Sequence, residues 1–251
     1  MDGNGCWQVI VVGAGGTGGY LIEWLARLAY GSRQADGPQV RLTLVDGDTV
    51  EGVNLVRQNF AVDDLGCNKA RVLADACKDG LGVDVQASNR YIHDAADLQR
   101  LAQGPEAGPV IVIGAVDNNA TRAVIDRFVS GRRGVVGIDS GNGERDGQIV
   151  VWGDPEVLGR ERVARLLPPD EKPMAPVERF PEMADESGAN ANPDDQSCAL
   201  HAQHDPQDMC TNIMAALGCL AVAWRLISGR PLMHYLYYFD IDGPYLKPAR
   251  R

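Results

Sequence analysis

Hydrophobic residues between positions 6 and 139 form short continuous runs separated by longer amphipathic segments. The runs are typical of buried strands and end at Gly13, Asp46, Tyr91, Gly114 and Asp139. The segments between them carry apolar residues at three- and four-residue spacing, which predicts helices over residues 16–30, 69–80, 94–103 and 118–131. Because strands that alternate with helices pair in parallel, the pattern predicts an α/β fold with a doubly wound, Rossmann-like, mostly parallel sheet.

The pattern changes after residue 146. The run GQIVVWG at 147–153 breaks the strand–helix alternation and predicts an added strand, while residues 154–207 are rich in Pro, Gly, Asp and Glu and have little periodicity. We expect a long and largely mobile crossover loop there, followed by a helix over 208–228 and closing strands near LMHYLYYFDI at 232–241. These features indicate one domain over residues 1–251, with a nucleotide-binding part at 8–152, a crossover loop at 153–207 and a C-terminal helix with closing strands at 208–251.

Composition and net charge limit which partners and which cellular location the sequence favours. The chain has 251 residues, 45% of them hydrophobic, and a formal net charge of -10, which argues against a nucleic-acid partner or an anionic membrane surface. Six cysteines without a CxxC pair, and no signal-peptide pattern, favour a cytoplasmic protein with free thiols. The most apolar segment, 213–224, is shorter than the roughly 18 residues that cross a bilayer, so we interpret it as a buried helix.

Four glycines lie in the turn between the first strand and the first helix, in the sequence GAGGTG: Gly13, Gly15, Gly16 and Gly18. Glycine lets backbone N–H groups approach a phosphate, and the start of a helix adds positive potential. Asp46 closes the second strand, where a carboxylate can accept hydrogen bonds from ribose hydroxyls. These residues predict a nucleotide site and fit a nicotinamide-dependent oxidoreductase as well as an ATP-binding protein.

Three further polar residues favour a triphosphate. Arg57 and Lys69 follow the second strand, and Asp117 follows the fourth strand, where a single carboxylate suits Mg²⁺. Chemistry at phosphorus needs cations on the non-bridging oxygens, so together the three predict ATP with magnesium. Taken singly, Arg57 and Lys69 also fit a solvated surface pair, and Asp117 fits an N-cap of the following helix.

Four sequence stretches carry a resemblance to a known family: GAGGTG, DGDTVEGVNLVRQ, GCNKA and AVDNNATR, in order within about residues 8–152. In these the chain resembles the ThiF/MoeB superfamily, the bacterial relatives of ubiquitin-activating enzymes. The later stretch QSCALHAQHDPQDMCTNIMAALGCLAVAWRL, at 196–226, is similar to the ThiF-like proteins of PRTRC systems.

The resemblance implies adenylation of a carboxylate, usually the C-terminal glycine of a ubiquitin-like or sulfur-carrier-like protein, with release of pyrophosphate. It implies that Asp46 holds the ribose and Asp117 the magnesium. The implied nucleotide-binding set is Gly13, Gly15, Gly16, Gly18, Asp46, Asp48, Asn54, Arg57, Gln58, Lys69, Asp117 and Asn118. The implied catalytic set is Arg57, Lys69, Asp117 and Cys198.

Two departures from the family pattern matter. Many members send an arginine from an N-terminal helix into the partner subunit's ATP site, but only seven residues precede the predicted first strand at 8–13 and none of them is basic. Many members also bind zinc through two CxxC pairs, which this chain lacks. We therefore expect neither the partner arginine nor the usual structural zinc.

Cys198 has three interpretations. It lies just before the last helix, where thioester-forming members keep their thiol, and a thiolate there could attack an acyl adenylate. Alternatively, Cys198, His201, His204 and Cys210 have the residue types of a zinc site. The third interpretation makes Cys198 and Cys210 ordinary loop and helix residues. We favour the reactive thiol over zinc, and we interpret Asn212 as an anchor between the crossover loop and its helix.

The sequence thus predicts an ATP-dependent adenylyltransferase that uses ATP and Mg²⁺ and forms a homodimer. An NAD-dependent oxidoreductase is the alternative enzyme, but it leaves Arg57, Lys69 and Asp117 without a role. A non-catalytic nucleotide-binding scaffold is the alternative outside enzymes, and the missing partner arginine favours it.

Overall fold

The computed structural model describes residues 6–103, 108–159, 172–181 and 208–248, and every structural statement below concerns these residues. Eight strands form one sheet in the order β3-β2-β1-β4-β5-β6-β7-β8. Their bounds are β1 Cys6–Val12, β2 Gln39–Val45, β3 Val85–Ser88, β4 Val110–Gly114, β5 Val135–Asn142, β6 Asp146–Gly153, β7 Leu236–Asp240 and β8 Tyr245–Pro248. Strands β1 to β5 pair in parallel, whereas β6, β7 and β8 are each antiparallel to the strand before. The predicted doubly wound sheet with an antiparallel portion is confirmed.

Helices cover both faces of the sheet because the β strands are apolar on both sides. The bounds are α1 Gly16–Gln34, α2 Lys69–Leu81, α3 Ala95–Leu101, α4 Asn119–Val129, α5 Pro176–Arg179 and α6 Met209–Ile227. Alternate residues of β1 enter two separate cores: Val9 and Val11 join the cluster of α1, α2 and α6, while Ile10 and Val12 join that of α3 and α4.

Several predicted boundaries move. β3 ends at Ser88 rather than Tyr91, because its last pairing is with Val45, where β2 itself ends. The run at 232–241 contains one strand instead of two: Leu232 and Tyr235 are fully buried but precede β7, and β8 follows a turn. The helix predicted over 118–131 begins one residue later.

Helix α6 is longer than the apolar segment at 213–224 from which it is predicted. It has 19 residues and a window of mean hydropathy 1.6, so by length and composition alone it is a candidate membrane span. The prediction that this segment is too short to cross a bilayer is therefore wrong. Core helices have the same properties, and 56% of this window is buried inside the fold. It packs on α1 and on β5, β6 and β7, as expected for a core helix.

Candidate active site

A cavity of about 370 Å³ lies at the carboxyl ends of β1 and β4, where the strand order reverses. In a doubly wound sheet this crevice is where ligands bind. Its lining includes most of the predicted nucleotide-binding residues: Gly13, Gly15, Gly16, Asp46, Asp48, Asn54, Arg57, Gln58, Lys69, Asp117 and Asn118. Gly18, the remaining one, does not line the cavity.

The glycine turn is packed too closely for side chains at two positions. Gly13 has φ +99°, and a Cβ there would collide with the carbonyl oxygen of Ala115 on the β4 side. A Cβ on Gly18 would collide with the carbonyl oxygen of Gly13. Gly18 therefore serves the packing of the turn, and α1 begins at Gly16 with its first N–H groups at the cavity.

Asp46 follows β2 and is held by main-chain donors. Its Oδ2 accepts from the Ala14 N–H at 2.6 Å and its Oδ1 from the Asp48 N–H at 2.8 Å. Burial raises the pKa of Asp46, while the positive charge of Lys69 and the two N–H donors act in the opposite direction. Each carboxylate oxygen retains a second acceptor site toward the cavity, which is what two ribose hydroxyls require.

Asp48 lies between a lysine and a tyrosine. Its Oδ2 lies 3.1 Å from Lys69 Nζ, and its Oδ1 accepts from the Tyr91 hydroxyl at 2.6 Å. Asn68 caps α2 and donates to the carbonyl oxygens of Asp46 and Asp48, which fixes the start of the helix against the loop. Lys69 is only 4% exposed, so it is a buried cation at the cavity and not part of a solvated surface pair.

The loop between β2 and α2 brings three more polar residues to the cavity. Asn54 is buried in a short 3-10 helix, where its Oδ1 accepts from the Glu51 N–H at 2.8 Å. Gln58 lies over Gly15, and its buried Oε1 has no hydrogen-bond partner among the described residues. Arg57 lines the cavity without an ion pair in the described part of the chain. Its guanidinium is therefore available for an anion.

The sequence left open which residue caps the start of α4. The N-cap of α4 is Asn118, whose Oδ1 accepts from the Thr121 N–H at 2.8 Å. The carboxylate of Asp117 is exposed and lines the cavity. The interpretation of Asp117 as the helix cap is therefore wrong.

Arg122 fixes the loop that carries Asp117. Its Nη2 donates to the carbonyl oxygens of Val116, at 2.9 Å, and Ser140, at 3.1 Å. Its Nε lies 3.3 Å from the carboxylate of Asp139. Burial raises the pKa of Asp139, and Arg122 acts to lower it.

Neutral side chains form the opposite wall. They come from the β5–β6 hairpin and from the first turns of α1 and α6. Thr17, Asn142 and Asn212 hydrogen-bond one another there. Asn212 is 3% exposed and reaches the glycine turn.

The sequence did not assign several cavity residues: Arg90, Tyr91, Arg122, Ser140, Asn142 and Gln148. Arg90 and Tyr91 could have been found, because they follow the third strand and its carboxyl end lies at the same sheet edge as that of the second. Ser140 and Asn142 lie beyond the predicted end of β5 at Asp139.

The cysteine hypotheses fall mostly outside the described residues. Cys198, His201 and His204 belong to a part of the chain that the structure does not describe. Cys210 is exposed in the first turn of α6, and a hydrogen bond to Asp208 together with that carboxylate's charge raises the pKa of its thiol. In the described ranges, no three His, Cys, Asp or Glu side chains gather as a metal site.

A family model described as ThiF family matches residues 6–241, nearly the whole chain. This chain belongs to the ThiF family. A SAMP-activating enzyme E1 of Haloferax volcanii is 34% identical over 121 residues, covering 47% of this chain and 40% of that protein. Ubiquitin-activating enzyme E1 1 of Candida albicans is 30% identical over 131 residues, covering 48% of this chain and 12% of that protein. This chain thus covers less than half the length of these two curated relatives.

Solved structures show the same fold. E. coli MccB with AMPCPP and MccA matches with a TM-score of 0.60 at 18% identity, over 99% of this chain and 64% of that one. PaaA matches with a TM-score of 0.61 at 17% identity, over 97% and 63%. At these identities the likeness supports the Rossmann-like ThiF fold alone.

Proposed function

We propose that this protein is an ATP-dependent adenylyltransferase that activates a carboxylate. Two of its relatives are named as enzymes that activate ubiquitin or SAMP. One observation carries the proposal: a glycine turn, the cations Arg57 and Lys69, and the carboxylate of Asp117 line a single cavity at the switch point of the sheet. A dinucleotide needs only one pyrophosphate neutralised, which a glycine turn nearly achieves alone. A ligand with more phosphate charge gives Arg57, Lys69 and Asp117 a binding role at the cavity.

In the proposed reaction, a carboxylate oxygen of the substrate attacks the α-phosphorus of ATP. A bond forms between that oxygen and phosphorus, the bond to the bridging oxygen breaks, and pyrophosphate leaves with the electron pair. No proton is transferred at phosphorus. Catalysis then consists of positioning and of stabilising negative charge on the phosphate oxygens.

Each residue has a distinct task in this scheme. Asp46 accepts from the ribose hydroxyls and so fixes the nucleotide along the glycine turn. Arg57 binds the phosphate oxygens from the loop side. Lys69, held by Asp48 at 3.1 Å, supplies a second cation.

The cavity fits a magnesium ion held mainly by the nucleotide. Mg²⁺ is commonly bound through one or two carboxylates plus phosphate oxygens and water, and Asp117 offers one exposed carboxylate at the correct sheet edge. When bound, the ion would neutralise charge on the phosphates. Asp117 would orient it, since Arg122 holds the loop that carries Asp117.

The substrate is proposed to be the carboxylate of a small protein or peptide tail, of the ubiquitin-like or sulfur-carrier-like kind. The support is by likeness: one relative is named for activating SAMP, and MccB was solved with MccA. We further propose that the Cys198 thiolate attacks the acyl carbon of the adenylate, so that a C–S bond forms, the bond to the phosphate oxygen breaks, and AMP leaves with the electron pair. That step would give a hydroxylamine-sensitive adduct, which Cys198→Ala should abolish while pyrophosphate exchange persists. Zinc bound to the protein with no adduct would contradict it.

Carboxylate-dependent exchange of labelled pyrophosphate into ATP tests the adenylation step. We expect exchange in wild type and none in Asp117→Ala at any magnesium concentration. An oxidoreductase or a nucleotide-binding scaffold supports no exchange, and tighter binding of NAD than of Mg·ATP in calorimetry would favour the former.

We also propose a homodimer through the face formed by α1 and α6, which pack on each other. Large apolar side chains are exposed on it: Trp24 is 51% exposed, Leu217 55% and Trp224 42%. Exposed apolar surface of this kind marks interaction sites. Sedimentation should give a dimer mass that Leu217→Asp converts to a monomer, and a monomer mass at every concentration would exclude the proposal.

A further inference from the structure

Asn212 reaches the glycine turn from the far end of the chain. It lies in the first turn of α6, whose start is tied to the β5–β6 hairpin because Thr211 Oγ1 donates to the carbonyl oxygen of Glu144 at 2.8 Å. Its side chain is so close to Gly16 that a Cβ on that glycine would lie 2.6 Å from Asn212 Cγ. Asn212 and Gly16 are therefore in close contact at the first residue of α1.

A chain of hydrogen bonds fixes which way the Asn212 amide points. Ser140 Oγ donates to Asn142 Oδ1 at 2.8 Å, so the amino group of Asn142 faces the other way. That group donates to Thr17 Oγ1, at 2.8 Å, and to Asn212 Oδ1, at 3.3 Å. The Thr17 hydroxyl also donates to Asn212 Oδ1, at 3.4 Å. The oxygen of Asn212 is thus fully engaged, and its amino group is turned toward Gly16.

The amino group of Asn212 has no hydrogen-bond partner among the described residues, although the residue is 3% exposed and lines the cavity. This donor lies at the cavity without a partner in the described part of the chain, so a ligand acceptor placed there would gain a hydrogen bond from it. The donor lies beside the N-terminus of α1, where unpaired backbone N–H groups already favour an anion.

We propose that Asn212 is a phosphate-binding residue: its Nδ2 donates to a non-bridging phosphate oxygen of the nucleotide at the glycine turn, with Thr17 and Asn142 as positioning residues. The proposal rests on the proposed function in that the phosphate is that of ATP. It also gives the chain that follows the crossover segment a direct contact with bound nucleotide, because Asn212 is carried on α6.

Three variants and two ligands test the assignment, with binding followed by calorimetry. Asn212→Ala removes the donor and should weaken ATP binding by about tenfold to a hundredfold, the value of one hydrogen bond to a charged group. Asn212→Asp keeps an acceptor for Thr17 and Asn142 but turns an anion toward the phosphate, so ATP binding should fall further. Adenosine, which has no phosphate, should bind both variants as it binds wild type.

Gln86→Glu is the matched charge control, since it adds the same negative charge on an exposed side chain of β3 that does not line the cavity. It should bind ATP like wild type. The positioning role is tested at Thr17: Thr17→Val should weaken ATP binding, and Thr17→Ser should restore it, again without effect on adenosine.

Equal loss of ATP and adenosine binding in Asn212→Ala would show a structural anchor and overturn the proposal, as would unchanged ATP binding. If wild type binds ATP but supports no carboxylate-dependent exchange, adenylation fails while the Asn212 assignment stands on its binding data. If wild type binds no ATP, both proposals fail together.

Discussion

The wall formed by β2, β3 and the start of α2 is charged, whereas the wall formed by the β5–β6 hairpin and α6 is neutral. On the first, Asp48 engages Lys69 and Tyr91, beside the main-chain-bound Asp46. On the second, Thr17, Asn142 and Asn212 engage one another through a hydroxyl and two amides. Charged groups attract strongly but cost much to desolvate, whereas an amide costs less to desolvate and orients a single donor. We infer that the charged wall supplies binding energy and the neutral wall supplies geometry.

Removing a cation from the charged side of the cavity should have the largest effect on activity. Lys69→Ala and Arg57→Ala should each lower pyrophosphate exchange by about a hundredfold or more, as loss of one preorganised charge contact does. Their effects on stability should differ. Lys69→Ala leaves Asp48 without its ion pair and should cost about 1–3 kcal/mol of unfolding free energy, whereas Arg57→Ala should leave stability nearly unchanged.

Chemical denaturation together with the exchange assay separates the two variants. Arg71→Ala is the control, because it removes an exposed cation that pairs with Asp75 outside the cavity. Equal destabilisation by Lys69→Ala and Arg57→Ala would show that the buried pair with Asp48 does not hold the wall together.

Tyr91→Phe tests the next contact on the same wall. The lost hydroxyl donates to Asp48 Oδ1 at 2.6 Å, and without it Asp48 should bind Lys69 more closely and leave less of the ammonium for phosphate. We expect ATP affinity to fall by about tenfold, the value of a hydrogen bond to a charged group. The ring itself lies against Gly47, so Tyr91→Ala should reduce stability as well, whereas Tyr91→Phe should not. Titration with ATP by calorimetry gives the measurement.

The smallest expected effect is the pH dependence at Asp46. Burial raises its pKa above the ordinary 3.8, so the folded protein binds that proton more tightly than the unfolded chain. Stability from this group is present below pH 3.8 and is lost as pH rises through the raised pKa. The unfolding temperature of Asp46→Asn should therefore gain on that of wild type between acid and neutral pH, even though ribose binding is weakened.

Asp63→Asn, at an exposed carboxylate of the neighbouring loop, provides the comparison for this measurement. A fall in the unfolding temperature of Asp46→Asn relative to wild type as pH rises would have the wrong sign for a desolvated carboxylate.

Local pattern determined most of the fold and the charged wall. Apolar runs and amphipathic spacing along contiguous segments predicted the five parallel strands and the helices between them. Since the carboxyl ends of parallel strands meet at one edge, Asp46, Asp117 and the glycine turn had to lie together. Arg57 and Lys69 came with them because both follow β2 closely in the chain. Misplaced boundaries, such as the end of β3, reflect pairing with a neighbour strand that no local pattern records.

Which residues form the neutral wall could be seen only in the tertiary structure. Thr17 and Asn212 are 195 positions apart, and Asn142 lies 70 positions from Asn212. Neutral amides and hydroxyls have no periodicity or charge that marks them as a group, and they become one only when α6 packs on the sheet beside α1. Likewise, the sequence allowed Asp117 to be a helix cap or a ligand, and the position of Asn118 at the cap excludes the first of these. Whether a polar side chain points into a cavity depends on which backbone groups near it are already paired, and that is settled by packing between distant segments.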